Sequence, residues 1–134
     1  MAANPELRAQ LENAIGENKV LLLMKGTPDA PRCGFSMRAV GILEQMGTEY
    51  GAIDVLPVLQ PLRDVTAEIA DWQTFPQLYV DGELLGGADL MEEMLHSGEL
   101  AEALGVPQPE IEQGATEEPK RDQGYRSPPM QIDT

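Results

Sequence analysis

The sequence predicts an α/β domain in which a four-stranded mixed sheet is covered by helices on both faces. The first observation is the short run Lys19–Lys25, which is almost wholly apolar, as expected of a strand covered on both sides. The second is the alternation of helical apolar spacing with short strand-like runs, in the order αβαβαββα. The βαβ first half predicts a parallel pair with a right-handed crossover, and the second half predicts a hairpin followed by a helix.

The first half of the chain divides into two helices, a strand and a turn. The predicted elements are a helix at Pro5–Asn18, a strand at Lys19–Lys25, a turn at Gly26–Arg32 and a helix at Cys33–Met46. Asn4 is suited to cap the first helix, and Gly47 is suited to end the second. The core stripe of the second helix is expected to comprise Phe35 or Met37, Val40, Leu43 and Met46.

The second half adds three strands and three helical stretches. The predicted elements are strands at Thr48–Val55, Leu78–Val80 and Glu83–Leu85, and helices at about Leu62–Ala70, at Ala88–Ser97 and at Gly98–Leu104. Asp81-Gly82 is typical of a hairpin turn. Asp89 and Glu92 have the spacing of a capping box. Together these elements predict the thioredoxin-like arrangement.

The composition changes after Gly105. Residues 1–105 are globular in composition and are expected to form one domain. Residues 106–134 contain five prolines, many Gln and Glu and only scattered apolar residues, which predicts a disordered acidic tail.

Charge and cysteine content restrict the possible functions. The net charge of −14 argues against binding to nucleic acid or to an anionic membrane surface. We expect no signal peptide and no membrane span, because no basic-then-apolar start and no apolar run of sufficient length occurs. The single cysteine excludes an intramolecular disulfide, and a free thiol suits a reducing compartment, so we expect a cytoplasmic protein.

That cysteine, Cys33, lies where the second helix begins. The unpaired amides of the first turn and the helix dipole favour thiolate there, which predicts a reactive thiol. Gly34 and Ser36 are expected to leave it accessible. The alternative is that Cys33 is a small core residue.

Four motifs in order resemble one known family. They are Met-Lys-Gly-Thr-Pro at 24–28, Cys-Gly-Phe-Ser at 33–36, Trp-Gln-Thr-Phe-Pro-Gln-Leu-Tyr-Val-Asp-Gly-Glu at 72–83 and Gly-Gly-Ala-Asp at 86–89. Over roughly residues 5–105 the chain resembles a monothiol glutaredoxin of the Cys-Gly-Phe-Ser type. The resemblance implies a thioredoxin-like fold, glutathione binding, and a [2Fe-2S] cluster shared by a homodimer or with a BolA-like protein. It also implies a role in iron–sulfur cluster storage, transfer to acceptor proteins and assembly.

The ligand count can be argued from the residues themselves. A [2Fe-2S] cluster needs four thiolate or imidazole ligands, and the chain has one cysteine and one histidine. His96 is expected to be a solvated surface residue, so a cluster at Cys33 would need two chains and two external thiols, such as those of glutathione. Ser36 stands where dithiol relatives have a resolving cysteine, and a hydroxyl cannot resolve a mixed disulfide.

The resemblance also implies a set of glutathione contacts. Lys25 and Arg63 match family residues that bind the glycine carboxylate, although the connection from Asp54 to Arg63 is one residue longer than expected. For both residues the alternative is an ordinary solvated side chain. Pro76 matches a cis proline, so the backbone of Phe75 should contact the cysteinyl part.

The γ-glutamyl end of glutathione is assigned to the last motif. Gly87, with Gly86, would let the backbone approach closely, and the amides of Ala88 and Asp89 would receive the carboxylate. The Asp89 side chain would accept the ammonium group.

Three positions depart from the family pattern. Gln73 replaces a proline, Glu68 replaces a basic residue, and Ala88 replaces a second cysteine. Gln73 is expected to loosen the turn after Trp72, and Glu68 to weaken binding of the anionic tripeptide. Trp72 itself is expected to close the turn rather than to contact a ligand.

Three functions are therefore considered. The first is a cluster carrier, and the second is a glutathione-dependent thiol–disulfide oxidoreductase that removes glutathione from mixed disulfides through Cys33. The five-residue loop Thr27–Pro31 before Cys33 favours the first function. The resemblance implies that this longer loop positions the glutathione sulfur as a cluster ligand rather than as a leaving group. The third is a regulatory partner of BolA-like proteins, which would use the same site.

Overall fold

The computed structural model describes residues 3–110 of the 134-residue chain. Its helices are α1 (Pro5–Glu17), α2 (Gly34–Met46), α3 (Leu59–Ala70), α4 (Ala88–Ser97) and α5 (Glu99–Leu104). Its strands are β1 (Val20–Met24), β2 (Gly26–Thr27), β3 (Ala30–Pro31), β4 (Gly51–Asp54), β5 (Gln77–Val80) and β6 (Glu83–Gly86).

The main sheet has the strand order β4-β1-β5-β6 and confirms the predicted mixed, thioredoxin-like topology. Strand β1 runs parallel to β4, with Met24 opposite Asp54, and antiparallel to β5. Strand β6 returns antiparallel to β5, so that Gly86 lies opposite Leu78. This register brings the carboxyl ends of β1, β4 and β6 and the amino end of β5 to the same edge of the sheet.

The core lies on both faces of β1, because alternate strand residues point to opposite sides. Val20, Leu22 and Met24 pack with α2, α4 and α5 on one face. Leu21 and Leu23 pack with α1 and α3 on the other. All five residues of the strand are buried, which confirms the prediction of a strand covered on both sides.

The helix ends follow the predicted chemistry. The Asn4 side chain accepts from the amides of Glu6 and Leu7, and Gly47 ends α2 in the left-handed conformation. Helix α3 begins at Leu59, three residues earlier than predicted, after a 3₁₀ turn at 56–58. Pro61 is accommodated because the first-turn amides of a helix have no partner within the helix.

The predicted core stripe of α2 was wrong at its start. Phe35 is 54% exposed and Met37 is 39% exposed. The buried stripe begins instead at Ser36 and continues through Val40 and Leu43 at helical spacing. Phe35 and Met37 flank Ser36 in sequence, so they lie on either side of the stripe.

Contacts with the core continue slightly past residue 105. Val106 packs against the core, and the Gln108 side chain donates to the Leu95 carbonyl. The rest of the predicted tail, residues 111–134, lies outside the described residues, so its disorder stays a prediction. Among residues 3–110, the helices are too short or too polar to cross a membrane.

A candidate active site at one edge of the sheet

The predicted site residues come from segments that meet at one edge of the sheet. Lys25 follows β1, and Cys33 directly precedes α2. Phe75-Pro76 precedes β5, and Gly87 follows β6. The strand register places these four segments together, although up to 62 residues separate them in the chain.

Cys33 forms the N-cap of α2. Its backbone is extended, and its sulfur accepts from the Ser36 amide at 3.4 Å. The thiol is partly exposed, so it is not a core residue. The sequence-based expectation of a thiol facing the free amides of a helix start is thereby confirmed.

Ser36 differs from its expected role of leaving the site open. It is completely buried, and its hydroxyl oxygen lies 3.5 Å from the Cys33 sulfur. The same oxygen accepts from the Lys25 amide at 3.0 Å. With this acceptor position used, the hydroxyl proton is free to point to the sulfur, so Ser36 is suited to donate to a thiolate.

These contacts determine the acidity of the thiol. Burial alone raises the pKa of Cys33, because it disfavours the charged form. The Ser36 hydroxyl, the amides of Ser36 and Phe35 and the positive charge of Lys25 act in the opposite direction. Together they outweigh burial, and the pKa of Cys33 falls below its ordinary value.

The segment before Cys33 is a tight hairpin rather than an irregular turn. Strands β2 and β3 pair, and the Arg32 amide donates to the Lys25 carbonyl at 2.9 Å. The Gly26 amide donates to the Asp54 carboxylate at 2.9 Å. Gly26 has a φ of 91°, and a Cβ there would lie 2.5 Å from the Ala30 carbonyl oxygen, so only glycine fits. The hairpin therefore fixes the backbone of Lys25 beside the thiol.

A groove of about 330 Å³ opens beside the first turn of α2 at Phe35, and Cys33 is not among the residues that line it. It is lined by Phe35, Trp72, Thr74, Phe75, Pro76, Gly87, Ala88, Asp89 and Leu90. The peptide bond between Phe75 and Pro76 is cis, as expected. Five of the predicted binding residues thus share one groove. Trp72 lines it as well, and its expected role in closing the turn rather than contacting a ligand stays a prediction.

Gln77 supports the floor of this groove from within the core. It is completely buried, and its amide donates to the carbonyls of Trp72 and Thr74 at 3.2 and 3.1 Å. The Tyr79 hydroxyl donates to the Gln77 carbonyl oxygen at 2.8 Å, and burial raises the pKa of Tyr79 to about 12. Gln77 thus fixes the backbone of the turn on either side of Gln73, whose own side chain is exposed.

The predicted capping box in α4 was wrong. Gly87 is the N-cap, so Asp89 lies inside the first turn, and the described residues provide no side-chain cap. Asp89 and Glu92 instead face Arg38 of α2, at 2.6 and 3.1 Å. Their spacing of three residues places both carboxylates on the face of α4 that contacts Arg38, so the three side chains link α4 to α2.

Two predicted residues and one departure lie elsewhere. Neither Lys25 nor Arg63 lines the groove. Arg63 is half-buried on α3, and its side chain makes no hydrogen bond or ion pair within residues 3–110. Glu68 accepts from Arg8 at 2.8 Å and from the Ala3 amide at 2.9 Å, which lowers its pKa and ties α3 to α1.

His96 is exposed, as expected. Within the described part of the chain, no three His, Cys, Asp or Glu side chains come together in a way that would hold a metal ion.

Comparisons with known proteins identify the family to which the chain belongs. The glutaredoxin family model matches residues 20–85. A monothiol glutaredoxin of Rickettsia typhi is 48% identical over 94 residues, which cover 70% of this chain and 84% of the relative. The chain is a monothiol glutaredoxin. The chloroplastic monothiol glutaredoxin-S7 of Oryza sativa is 47% identical over 100 residues, but the match spans only 59% of that longer protein.

Solved structures support the same fold for this glutaredoxin. A poplar glutaredoxin of the S14 type, solved reduced and in its apo form, has a TM-score of 0.68 at 42% identity. The alignment covers 78% of this chain and 95% of the poplar chain. A buckwheat glutaredoxin, solved in complex with glutathione, has a TM-score of 0.66 at 18% identity and covers 75% of this chain and 88% of its own. At that identity it supports the fold alone.

Sequence reasoning missed several residues of the site. Arg38 lies outside the four motifs. Phe35 lies inside one of them but was assigned to the core. Gln77 could have been noticed as a polar residue that opens an otherwise apolar strand. The hydrogen bonds of Ser36 could not be read from the sequence, because they depend on how β1 packs against α2.

Proposed function

We propose that this monothiol glutaredoxin binds glutathione in the groove and carries a [2Fe-2S] cluster at Cys33. Its role would be iron–sulfur cluster storage, transfer and assembly, and with it redox and iron homeostasis. The observation that carries the proposal is a single thiol with a lowered pKa, partly exposed at the start of α2, beside a groove of peptide dimensions. A thiolate is the form in which cysteine binds iron.

Glutathione binding is supported by the shape and chemistry of the groove. Phe75 and Pro76 line the groove at a cis peptide bond, where their backbone would pair with an extended peptide, and the open amides of Ala88 and Asp89 suit a carboxylate. Lys25 lies on the thiol side, where its charge already acts on Cys33. We assign Lys25 and Arg63 to the glycine carboxylate of the tripeptide, at the end away from α4. Glutathione is also the ligand of the buckwheat glutaredoxin with the same fold.

The donor set fits a cluster shared between two chains. Cys33 offers one sulfur, and Ser36 is buried and already hydrogen-bonded, so it is not available as a ligand. Two copies of Cys33 and two glutathione thiols would complete the four ligands of the cargo cluster. We propose a homodimer in this state, with a BolA-like protein as the alternative partner and iron–sulfur acceptor proteins as recipients. A reducing compartment such as the cytoplasm would keep these thiols free.

The lowered pKa of Cys33 also favours a second function, glutathione-dependent disulfide exchange. The Cys33 thiolate would attack the glutathione sulfur of a glutathionylated protein, forming a mixed disulfide with glutathione and releasing the protein thiolate. A second glutathione thiolate would then attack this mixed disulfide, yielding glutathione disulfide and regenerating Cys33. No second protein thiol is needed for either step.

The experiment is anaerobic reconstitution with iron and sulfide, with and without glutathione, followed by visible absorption spectroscopy and size-exclusion chromatography. Wild type should give [2Fe-2S] bands from a dimer only when glutathione is present. Cys33→Ser should give none. His96→Ala, which removes the only histidine, should behave as wild type.

Absence of bands in wild type under all conditions would overturn the carrier proposal. Turnover of a small glutathionylated disulfide in the same preparation would then favour the exchange reaction. Bands that persist in Cys33→Ser would overturn the assignment of Cys33 as the ligand.

A further inference from the structure

Arg38 joins the helix that carries the thiol to the helix that borders the groove. From the second turn of α2, its Nη2 atom lies 2.6 Å from the Asp89 carboxylate. Its Nε atom lies 3.1 Å from Glu92 but makes no well-aligned hydrogen bond. The Nη1 atom makes no hydrogen bond to any other residue of the described chain. A guanidinium has five N–H donors, so this one keeps donors for a ligand.

Arg38 does not itself line the groove, but it contacts two residues that do. The Arg38 guanidinium lies 5.6 Å from the centre of the Phe35 ring, and both Phe35 and Asp89 line the groove. The side chain of Arg38 is 39% exposed and that of Asp89 is 86% exposed. A ligand in the groove therefore has access to a positive and a negative group side by side.

This arrangement matches one kind of chemical group. A free α-amino acid end carries a carboxylate and an ammonium group on the same carbon, as in the γ-glutamyl residue of glutathione. Arg38 complements the carboxylate, and Asp89 complements the ammonium. An α-linked peptide presents only one of these charges at its terminus, so it cannot satisfy both side chains.

We infer that Arg38 is a specificity-determining residue that binds the α-carboxylate of a γ-glutamyl ligand, beside the Asp89 carboxylate that accepts its ammonium group. The inference rests on the proposed glutathione binding and adds a recognition residue outside the four motifs. It also explains why the two carboxylates of α4 face Arg38 instead of capping their own helix.

Arg8 offers a matched control. It also pairs with two carboxylates, Glu12 at 3.1 Å and Glu68 at 2.8 Å, and its side chain is 41% exposed. It joins α1 to α3, and neither Glu12 nor Glu68 lines the groove, whereas Arg38 contacts the lining residues Phe35 and Asp89. Arg8→Gln and Arg38→Gln change the net charge equally, so a difference between them reports position rather than charge.

The experiment uses the fluorescence of Trp72, the only tryptophan, which lines the groove. Three S-methylated ligands, which cannot exchange disulfides, are titrated into the full chain. They are S-methylglutathione, its analogue with glutaryl in place of γ-glutamyl, which lacks the ammonium, and its analogue with 4-aminobutanoyl, which lacks the α-carboxylate.

Arg38→Gln should weaken S-methylglutathione and the glutaryl analogue by about three- to tenfold, as for a partly exposed charge-assisted hydrogen bond. Its affinity for the 4-aminobutanoyl analogue should stay within about twofold of wild type, because the missing carboxylate leaves Arg38 nothing to bind. Arg8→Gln should leave all three affinities unchanged.

Equal losses for all three ligands, or no loss for any, would overturn the role of Arg38 while leaving glutathione binding intact. Failure of wild type to bind S-methylglutathione would overturn the proposed glutathione site, and the role of Arg38 with it. The two failures are distinguished by the wild-type titration alone.

Discussion

The N-termini of α2 and α4 lie at the same edge of the sheet, yet they are closed in different ways. Helix α2 is capped by the Cys33 sulfur, which accepts from the Ser36 amide. Helix α4 begins at Ala88, and its N-cap, Gly87, provides no side-chain cap. One helix start thus keeps its amides for a protein sulfur, whereas the other leaves them open to the groove.

The difference shows how one local feature serves two purposes. Free amides and a positive dipole end favour a negative group wherever a helix begins. At α2 the group is built into the chain: it is the Cys33 sulfur, whose pKa is lowered at this position. At α4 Gly87 has no side chain to serve as a cap, and we propose that a carboxylate of a ligand takes that place. Substitutions at four positions would break or sharpen this comparison.

Replacing Cys33 should have the largest effect. Cys33→Ala and Cys33→Ser should both abolish alkylation by iodoacetamide, measured by mass spectrometry, because the chain has no other thiol. Cys33→Ser should be more stable than Cys33→Ala by about 1 kcal/mol, since serine retains a capping oxygen. Equal stability of the two variants in urea unfolding would contradict a capping role for this position.

Ser36→Ala should have the second largest effect. It removes the hydroxyl that faces the sulfur, so the pKa of Cys33 should rise and alkylation at neutral pH should slow. It also leaves the Lys25 amide without its acceptor, at a cost of about 1–3 kcal/mol. The measurement is the pH dependence of the alkylation rate, with Ser97→Ala, at an exposed serine, as the control.

The sign of the linked stability effect follows from the same shift. Because the pKa of Cys33 is lowered in the folded protein, the unfolded chain holds more protons between that pKa and the ordinary thiol value of 9.0. Wild type should therefore gain stability relative to Ser36→Ala as the pH rises through this window. A constant difference across the window would contradict the role of Ser36.

Gly87→Ser should have a moderate effect, because it makes the start of α4 resemble a capped helix. The new hydroxyl would compete for the free amides, and its Cβ would lie 3.3 Å from the Pro76 carbonyl oxygen, inside the groove. Affinity for S-methylglutathione should fall roughly three- to fivefold, equivalent to about 1 kcal/mol. Unchanged affinity would mean that the ligand does not use these amides. Gly16→Ser in α1, where a Cβ meets nothing within 4 Å, is the control.

Asn4→Ala should have the smallest effect on function. Asn4 caps α1 by accepting from the amides of Glu6 and Leu7, away from the groove. Its loss should cost about 1 kcal/mol of stability in urea unfolding. Thiol reactivity and ligand affinity should match wild type. A loss of ligand affinity would show that the three helix starts are coupled through the fold.

Much of the fold could be predicted because local rules decide it. The apolar run of β1, the Asn4 cap and the glycine at the end of α2 each depend on neighbours only a few residues away. Phe35 was misassigned for the opposite reason. Helical spacing alone did not decide which residue starts the buried stripe, and the packing of α2 against the sheet placed Ser36 there instead.

For the site, the sequence by itself determined the chemistry, namely one thiol at a helix start and a motif with open backbone before α4. The tertiary structure decided what surrounds that chemistry. The Lys25 amide meets Ser36 across eleven residues, and Arg38 meets Asp89 across fifty-one. Contacts of this kind depend on the register of the sheet and on the positions of helices packed against it. A sequence pattern with a period of two or four residues carries no information at such separations.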